Sequence, residues 1–205
     1  MPTAKPDYHR HFRKADPILH KVARQVGPFT LKPDRNRFGM LVRSIISQQL
    51  STKAARTIRQ RLEALIAPAP ISPESLACVK KTQLRSVGFS NNKADYVLDL
   101  ATKVLDGEVR LSTLGRKNDE EIIAELTQVR GIGRWTAQMF LIFSLGRLDV
   151  FPHDDLGIRV AIKNLYGLSD LPDKETGHRI AAPWKPYSSV GAWYCWRSLE
   201  LKAKS

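Results

Sequence analysis

Two short runs in this chain carry residues whose types and spacing suit chemistry. In Val129-Arg130-Gly131-Ile132-Gly133-Arg134-Trp135-Thr136, two glycines flank a single apolar residue between two helical patterns. Glycine accepts the positive φ of a tight turn, and a turn that opens a helix brings backbone N–H groups to an anion at the positive end of the dipole. A nucleic-acid phosphate suits such a nest, and it would be held without its base sequence being read. A G-x-G turn by itself is equally a plain helix–helix connection. The second run, Asp149 to Leu156, sets Asp154 beside Asp155 at the start of an apolar helical pattern. A carboxylate there is either an N-cap or a charge placed for reaction. His153 is adjacent and is given no catalytic part.

Helices must position both runs. Asp16 precedes a first-turn proline and opens a helix over 17–26. Residues 37–49 put Phe38, Leu41, Val42, Ile45 and Ile46 on one face; after Leu50-Ser51 a second helix does the same with Ala54, Ala55, Ile58, Leu62, Leu65 and Ile66. Its other face carries Lys53, Arg56, Arg59 and Arg61. Pro68 and Pro70 stop it, and Ser72-Pro73-Glu74 starts a short helix. Ser90 caps a helix through Leu105, with Ala94, Val97, Leu98, Ala101 and Leu105 facing in and Gly107 closing it. After a loop at 107–117, Asn118 with Glu121 forms a capping box for a helix ending at Val129. An apolar helix follows from Arg134 to Leu145, then helices at 155–166, 175–183 and 187–202. No period-two alternation and no internal repeat is found, so the fold is expected to be all-α.

Lysine and arginine outnumber aspartate and glutamate by 33 to 20 in 205 residues, which points to a polyanionic partner. The excess is concentrated: residues 1–43 hold ten cations (Lys5, Arg10, Arg13, Lys14, Lys21, Arg24, Lys32, Arg35, Arg37, Arg43) against Asp7, Asp16 and Asp34. A solvated basic face explains such a run as readily as a binding surface does. The two cysteines, Cys78 and Cys195, build neither a disulfide framework nor a four-cysteine metal site. No apolar stretch is long enough to span a membrane, and the N-terminal residues lack the apolar core of a secretory signal. An intracellular location, cytoplasmic or nucleoid and nuclear in a eukaryote, is expected, with no membrane partner.

The hairpin VRGIGRWTA, the following FPHDDLGI, the upstream IISQQLS and the C-terminal WKPYSSVGAWYCW together resemble the helix-hairpin-helix DNA glycosylases, specifically their alkylpurine branch of the 3-methyladenine type. The likeness spans roughly residues 35–200. It implies two helical lobes with a cleft between them: residues 36–150 as a central lobe containing the helix-hairpin-helix at 118–145, residues 151–205 as a C-terminal lobe, and residues 1–35 packing with the latter. One departure stands at Arg130, where the family often has proline before the first glycine.

The resemblance assigns roles residue by residue. The second aspartate of the pair is the catalytic one in the family, which implies Asp155, with Asp154 left as the better capping candidate. Breaking an N-glycosidic bond leaves positive charge on the sugar, and a carboxylate stabilises it and orients or deprotonates water. Family members that also cut the backbone carry a lysine two positions after the second glycine. Here that position is Trp135, so a monofunctional enzyme without lyase activity is implied.

Trp135 and Trp196 match pocket tryptophans, which would hold a cationic alkylated purine by cation–π attraction. Met139 falls where the branch can carry an aromatic ring, and Trp184, Trp193 and Tyr187 are further candidates. Plain core packing is the commoner role of any single tryptophan in a helical protein. Gln49, with Leu50 as the neighbouring alternative, matches the wedge that fills the gap left by an everted base. Gly131, Gly133, Arg130, Arg134 and Thr136 are the implied phosphate contacts. The carbonyls of Thr127, Val129 and Ile132 are implied ligands of a structural monovalent cation, with no cofactor required for the chemistry. Double-stranded DNA containing damaged bases is the implied partner of a monomeric protein.

Overall fold

The computed structural model describes residues 7–202; Lys5 and the rest of the first six positions, with 203–205, lie outside the described residues. Every regular element among the described residues is helical: α1 (Tyr8–Ala15), α2 (Pro17–Val26), α3 (Arg37–Ser47), α4 (Thr52–Ile66), α5 (Pro73–Ala77), α6 (Lys81–Ser86), α7 (Asn91–Leu105), α8 (Asp119–Leu126), α9 (Arg134–Phe143), α10 (Leu156–Tyr166), α11 (Lys174–Ala181) and α12 (Ser188–Lys202). Single 3-10 turns lie at Leu114–Arg116 and Ala182–Trp184. The chain divides into two compact units, Met1–Lys32 with Gly146–Ser205, and Pro33–Leu145.

In the first unit, one buried carboxylate organises the packing. Asp16 ends α1 and caps α2, its Oδ1 accepting the Leu19 N–H at 2.9 Å. Its Oδ2 accepts the Trp184 indole N–H at 2.7 Å and the Tyr166 hydroxyl. A buried charge is tolerated only when donors surround it, and these donors tie α2 to α10 and to the turn before α12. Burial, then the Asp16 hydrogen bond, pushes the Tyr166 phenol far above its ordinary range. Around this point Phe12, Leu19, Ile158, Trp184, Val190 and Tyr194 form the core.

The second unit is built on α3, which packs against α4, α7 and α9. Leu41, Val42 and Ile45 on it are fully buried, each contributing roughly 1.5–3 kcal/mol by removal from water. Asn36 caps α3, Ser51 α4, Ser90 α7, and the Asn118–Glu121 capping box opens α8 as the spacing predicts.

Several boundaries differ from the sequence expectation. Helix α3 stops at Ser47, because Gln48 and Gln49 leave helical geometry. Helix α8 stops at Leu126 and α9 at Phe143, short of Val129 and Leu145. Leu105, expected to face in, is 46% exposed. It lies in the last turn of α7, where the inward stripe of Ala94, Val97, Leu100 and Ala101 has already ended. Helices α1 and α6, eight and six residues long, are not picked out by the sequence reading.

Candidate active site

In the first unit the carboxylate comes to the start of α10. Asp155 is buried and is itself the N-cap: Oδ1 accepts the Ile158 N–H at 2.9 Å and the Trp196 indole N–H at 2.9 Å. The expectation that Asp154 would cap is corrected, since α10 begins at Leu156 and Asp155, just before it, has the extended backbone of a cap and accepts the Ile158 N–H. Asp154 is exposed and pairs with His153 at 3.2 Å. One side chain therefore both closes the helix and presents the charge.

Gly157 lies close against this pair, and sequence reasoning does not find it. A Cβ there would stand 3.1 Å from Asp155 Oδ1 and 3.2 Å from the Trp196 ring. A glycine two residues after an aspartate gives no local signal, because its neighbour comes from α12. The other tryptophan candidates of this unit belong to the core and do not join Trp196. Trp184 is fully buried on Asp16, Trp193 packs edge-on to Phe29 at 5.2 Å, and Tyr187 lies between Tyr8 and His11. His153 lies 5.0 Å from His178 with the rings tilted by 43°, and the His178 imidazole is held below its ordinary pKa by burial and then by His153.

In the second unit the hairpin joins α8 to α9. Gly131 has φ 81, and a Cβ on it would collide with the Tyr96 ring of α7. The Ile132 N–H closes the turn on the Val129 carbonyl at 3.1 Å. Gly133 is the N-cap of α9 and supplies no side-chain cap, whereas α1, α2, α3, α4, α7, α8, α10 and α11 each have one. No cap side chain therefore stands between the positive end of α9 and an outside acceptor.

Arg130 and Arg134 flank that opening, each with a carboxylate. Arg130 meets Asp99 through its backbone N–H at 2.9 Å and Nε at 3.2 Å, and Arg134 forks onto Glu120. The Arg134 hydrogen bond holds the Glu120 carboxyl below its ordinary pKa. Trp135 is 42% exposed, while Thr136 and Met139 on the same helix are buried. Thr136 can therefore offer an anion its backbone only through the start of α9.

The Gln48–Leu50 segment is fastened to the same hairpin. Gln48 donates from Nε2 to the Gly131 carbonyl at 2.8 Å. Gln49, exposed, has φ 55, alone among the described non-glycine residues in the left-handed region, where side chains sit at a cost of order 1–3 kcal/mol. Leu50 beside it is 40% exposed. Lys93 of α7 holds this tip in place, its ammonium donating to the Ile46 carbonyl at 2.7 Å and to the Gln48 carbonyl. Burial pulls that ammonium below the usual lysine pKa. Nothing in the local sequence marks Lys93, whose partners lie more than forty positions away.

Residues 42–186 match the model of the HhH-GPD superfamily base excision DNA repair proteins. This chain belongs to that superfamily.

Its relatives in the HhH-GPD superfamily extend the likeness beyond the matched segment. The DNA-3-methyladenine glycosylase 1 of Schizosaccharomyces pombe is 33% identical, over 93% of this chain and 86% of its own length. The crystal structure of a DNA-3-methyladenine glycosidase from Bacillus halodurans superposes with a TM-score of 0.87 at 34% identity, covering 98% of this chain and 93% of that one. A fission-yeast 3-methyladenine DNA glycosylase solved in complex with abasic DNA superposes at 0.82 and 31%, covering 95% and 97%. The hairpin, the tip and Asp155 lie inside the matched HhH-GPD segment, and Trp196 lies beyond it.

Proposed function

We propose that this protein is a monofunctional DNA glycosylase that turns alkylated purines of the 3-methyladenine type out of duplex DNA and hydrolyses their N-glycosidic bond, initiating base excision repair. The observation that carries the proposal is Asp155 Oδ1, held between the Ile158 N–H and the Trp196 indole at the start of α10. Two fixed donors orient the carboxylate before the reaction, so little reorganisation accompanies the development of charge.

Alkylation at a ring nitrogen makes the purine cationic, and the bond from base to anomeric carbon breaks with its electron pair leaving on the base. The sugar carries positive charge in the transition state. Asp155 offsets that charge, and water adds at the anomeric carbon, with its proton passing to the carboxylate or to solvent. Trp135 and Trp196 serve the cationic base by cation–π attraction, about 0.5–2 kcal/mol per ring, with Met139 one turn further along α9. Trp135 also stands where lyase-active family members carry an amine, so no Schiff base forms and an abasic site is the product.

Gly131, Gly133 and the first turn of α9, with Arg130, Arg134 and Thr136, hold a phosphate of the damaged strand. Gln49, with Leu50 beside it, fills the space left by the everted base. The carbonyls of Thr127, Val129 and Ile132 are neutral oxygen donors of the kind a monovalent cation accepts. Thr127 lies just past the last turn of α8, and Val129 keeps a lone pair beyond its bond to Ile132. Such an ion would add positive charge beside the phosphate. The protein acts as a monomer on intracellular DNA; no helix among the described residues is long and apolar enough to cross a membrane.

The test is incubation of the protein with methylated duplex and chromatography of the free bases. Release of 3-methyladenine, with strands that break only after alkali, is the expected result. Absence of any released purine would end the proposal, and strand cleavage without alkali would end its monofunctional part. Duplex binding with no base release from any substrate would favour a binding module built on the hairpin.

A further inference from the structure

The cationic stretch near the start of the chain takes no part in the site described above. Within the first unit, α1 and α2 border two adjoining cavities of about 490 and 400 Å³ that share His20 and Arg24. Arg10 and Arg13 of α1 and Lys21 and Arg24 of α2 line them, all exposed. Among the described residues none of the four has an ion pair. In the second unit Arg43, Lys81, Lys103, Lys117 and Arg130 each hold a carboxylate.

The lining holds one acid, Asp7, whose Oδ1 is engaged at 2.9 Å by the Arg10 N–H as the cap of α1. His9 and His20 complete the wall with ring centroids 6.3 Å apart, and the buried His20 Nδ1 has no hydrogen-bond partner among the described residues. Like charges gathered without counter-ions repel one another, and a polyanion reverses the sign of every one of those interactions. The cations stand one turn apart on each helix, at positions i and i+3, along an open trough. No backbone cradle converges on one point, so the pattern fits a repeating charge better than a single compact anion.

We propose that the α1–α2 groove is a second DNA-backbone contact, taking phosphodiesters other than the one held by the hairpin; it rests on the glycosylase reading. It supplies affinity for undamaged duplex during search, without base recognition.

The test replaces Arg10, Arg13, Lys21 and Arg24 together by glutamine, with an Arg10→Lys, Arg13→Lys, Arg24→Lys chain as the charge-retaining control and Arg24→Gln as a milder variant. Binding to undamaged duplex is measured across a salt series. Removing one cation from the DNA backbone lowers the slope of log K against log salt by about 0.9, so the fourfold variant should lose about 2–4 in slope and the single one about 1. The lysine chain should keep the wild-type slope, single-turnover base release at saturating DNA should be unchanged, and the melting temperature should not fall. An unchanged slope in the glutamine variants, or an equal loss in the lysine control, overturns the proposal. Saturable binding of inorganic pyrophosphate to wild type and not to the fourfold variant, with no change in DNA slope, overturns it in favour of a small-anion site. A wild-type protein that binds duplex and releases no base contradicts the glycosylase reading while leaving the groove measurable.

Discussion

Helices α9 and α10 begin in opposite ways. Helix α9 starts at Gly133, whose N-cap position has no side chain to offer, so the positive end of the helix stays open to an outside anion. Helix α10 starts at Asp155, which satisfies the Ile158 N–H itself and holds its own negative charge there. The same helix-terminal electrostatics thus leaves an open positive end in one unit and a fixed anion in the other. An open positive end suits a phosphate, and a fixed anion suits a sugar that turns cationic. Cap chemistry, one residue in each case, decides between them.

The sharpest way to break this contrast is Asp155→Asn. The amide still accepts from Ile158, so the helix remains capped, while the charge is removed. Base release should fall by at least about 10²–10³-fold, the scale of deleting one electrostatic stabiliser of a transition state, with duplex affinity kept. Normal turnover in a base-release assay would reduce Asp155 to a cap.

The two hairpin glycines come next, because they separate folding from binding. Gly131→Ala forces a Cβ into the Tyr96 ring at φ 81, and should cost about 2–4 kcal/mol in urea unfolding. Gly133→Ala meets nothing within 4 Å and should stay within about 0.5 kcal/mol of wild type. Any loss of duplex affinity in that variant reports the closeness of the phosphate to the turn. Equal stability of the two variants would remove the distinction.

A smaller effect is expected from Trp196→Phe, which keeps an aromatic ring and removes the N–H to Asp155. A hydrogen bond to a charged group contributes about 1.5–3 kcal/mol, so single-turnover release should slow by roughly tenfold or more. Wild-type rates would show that Ile158 alone orients the carboxylate. Smallest of all, Lys93→Met removes the bonds that pin the Gln48–Leu50 tip. Stability should fall by about 1–2 kcal/mol, and a fluorescent base analogue beside the lesion should report less complete eversion. An unaltered signal would mean that the Gln48 bond to the hairpin holds the tip unaided.

Much of this is legible locally. The Asn118–Glu121 box, the Asp16–Pro17 start and the glycine pair are signals contained within four residues, where backbone hydrogen bonding is decided by neighbours. The buried stripe of α3 is legible by its period. Asp154 reads as the cap because the resemblance reserves Asp155 for catalysis, and which aspartate precedes the first helical turn shows only once that turn is placed. Trp184, Trp193 and Tyr187 read like pocket residues because an aromatic ring looks the same from sequence whether it packs or binds.

By itself the sequence determined every helix but α1 and α6, the caps Asp16, Ser72, Ser90 and Asn118, the turn between α8 and α9, and the excess of positive charge, since all of these follow from short-range periodicity and composition. Tertiary structure decided which ring meets which carboxylate: Trp196 rather than Trp184 on Asp155, and Trp184 rather than Trp196 on Asp16. It also decided that Lys93 and Gln48 fasten the tip and that Gly157 packs against Asp155 and Trp196. These pairings join distant segments, and their partners are chosen by how helices pack around a core, which no local pattern encodes.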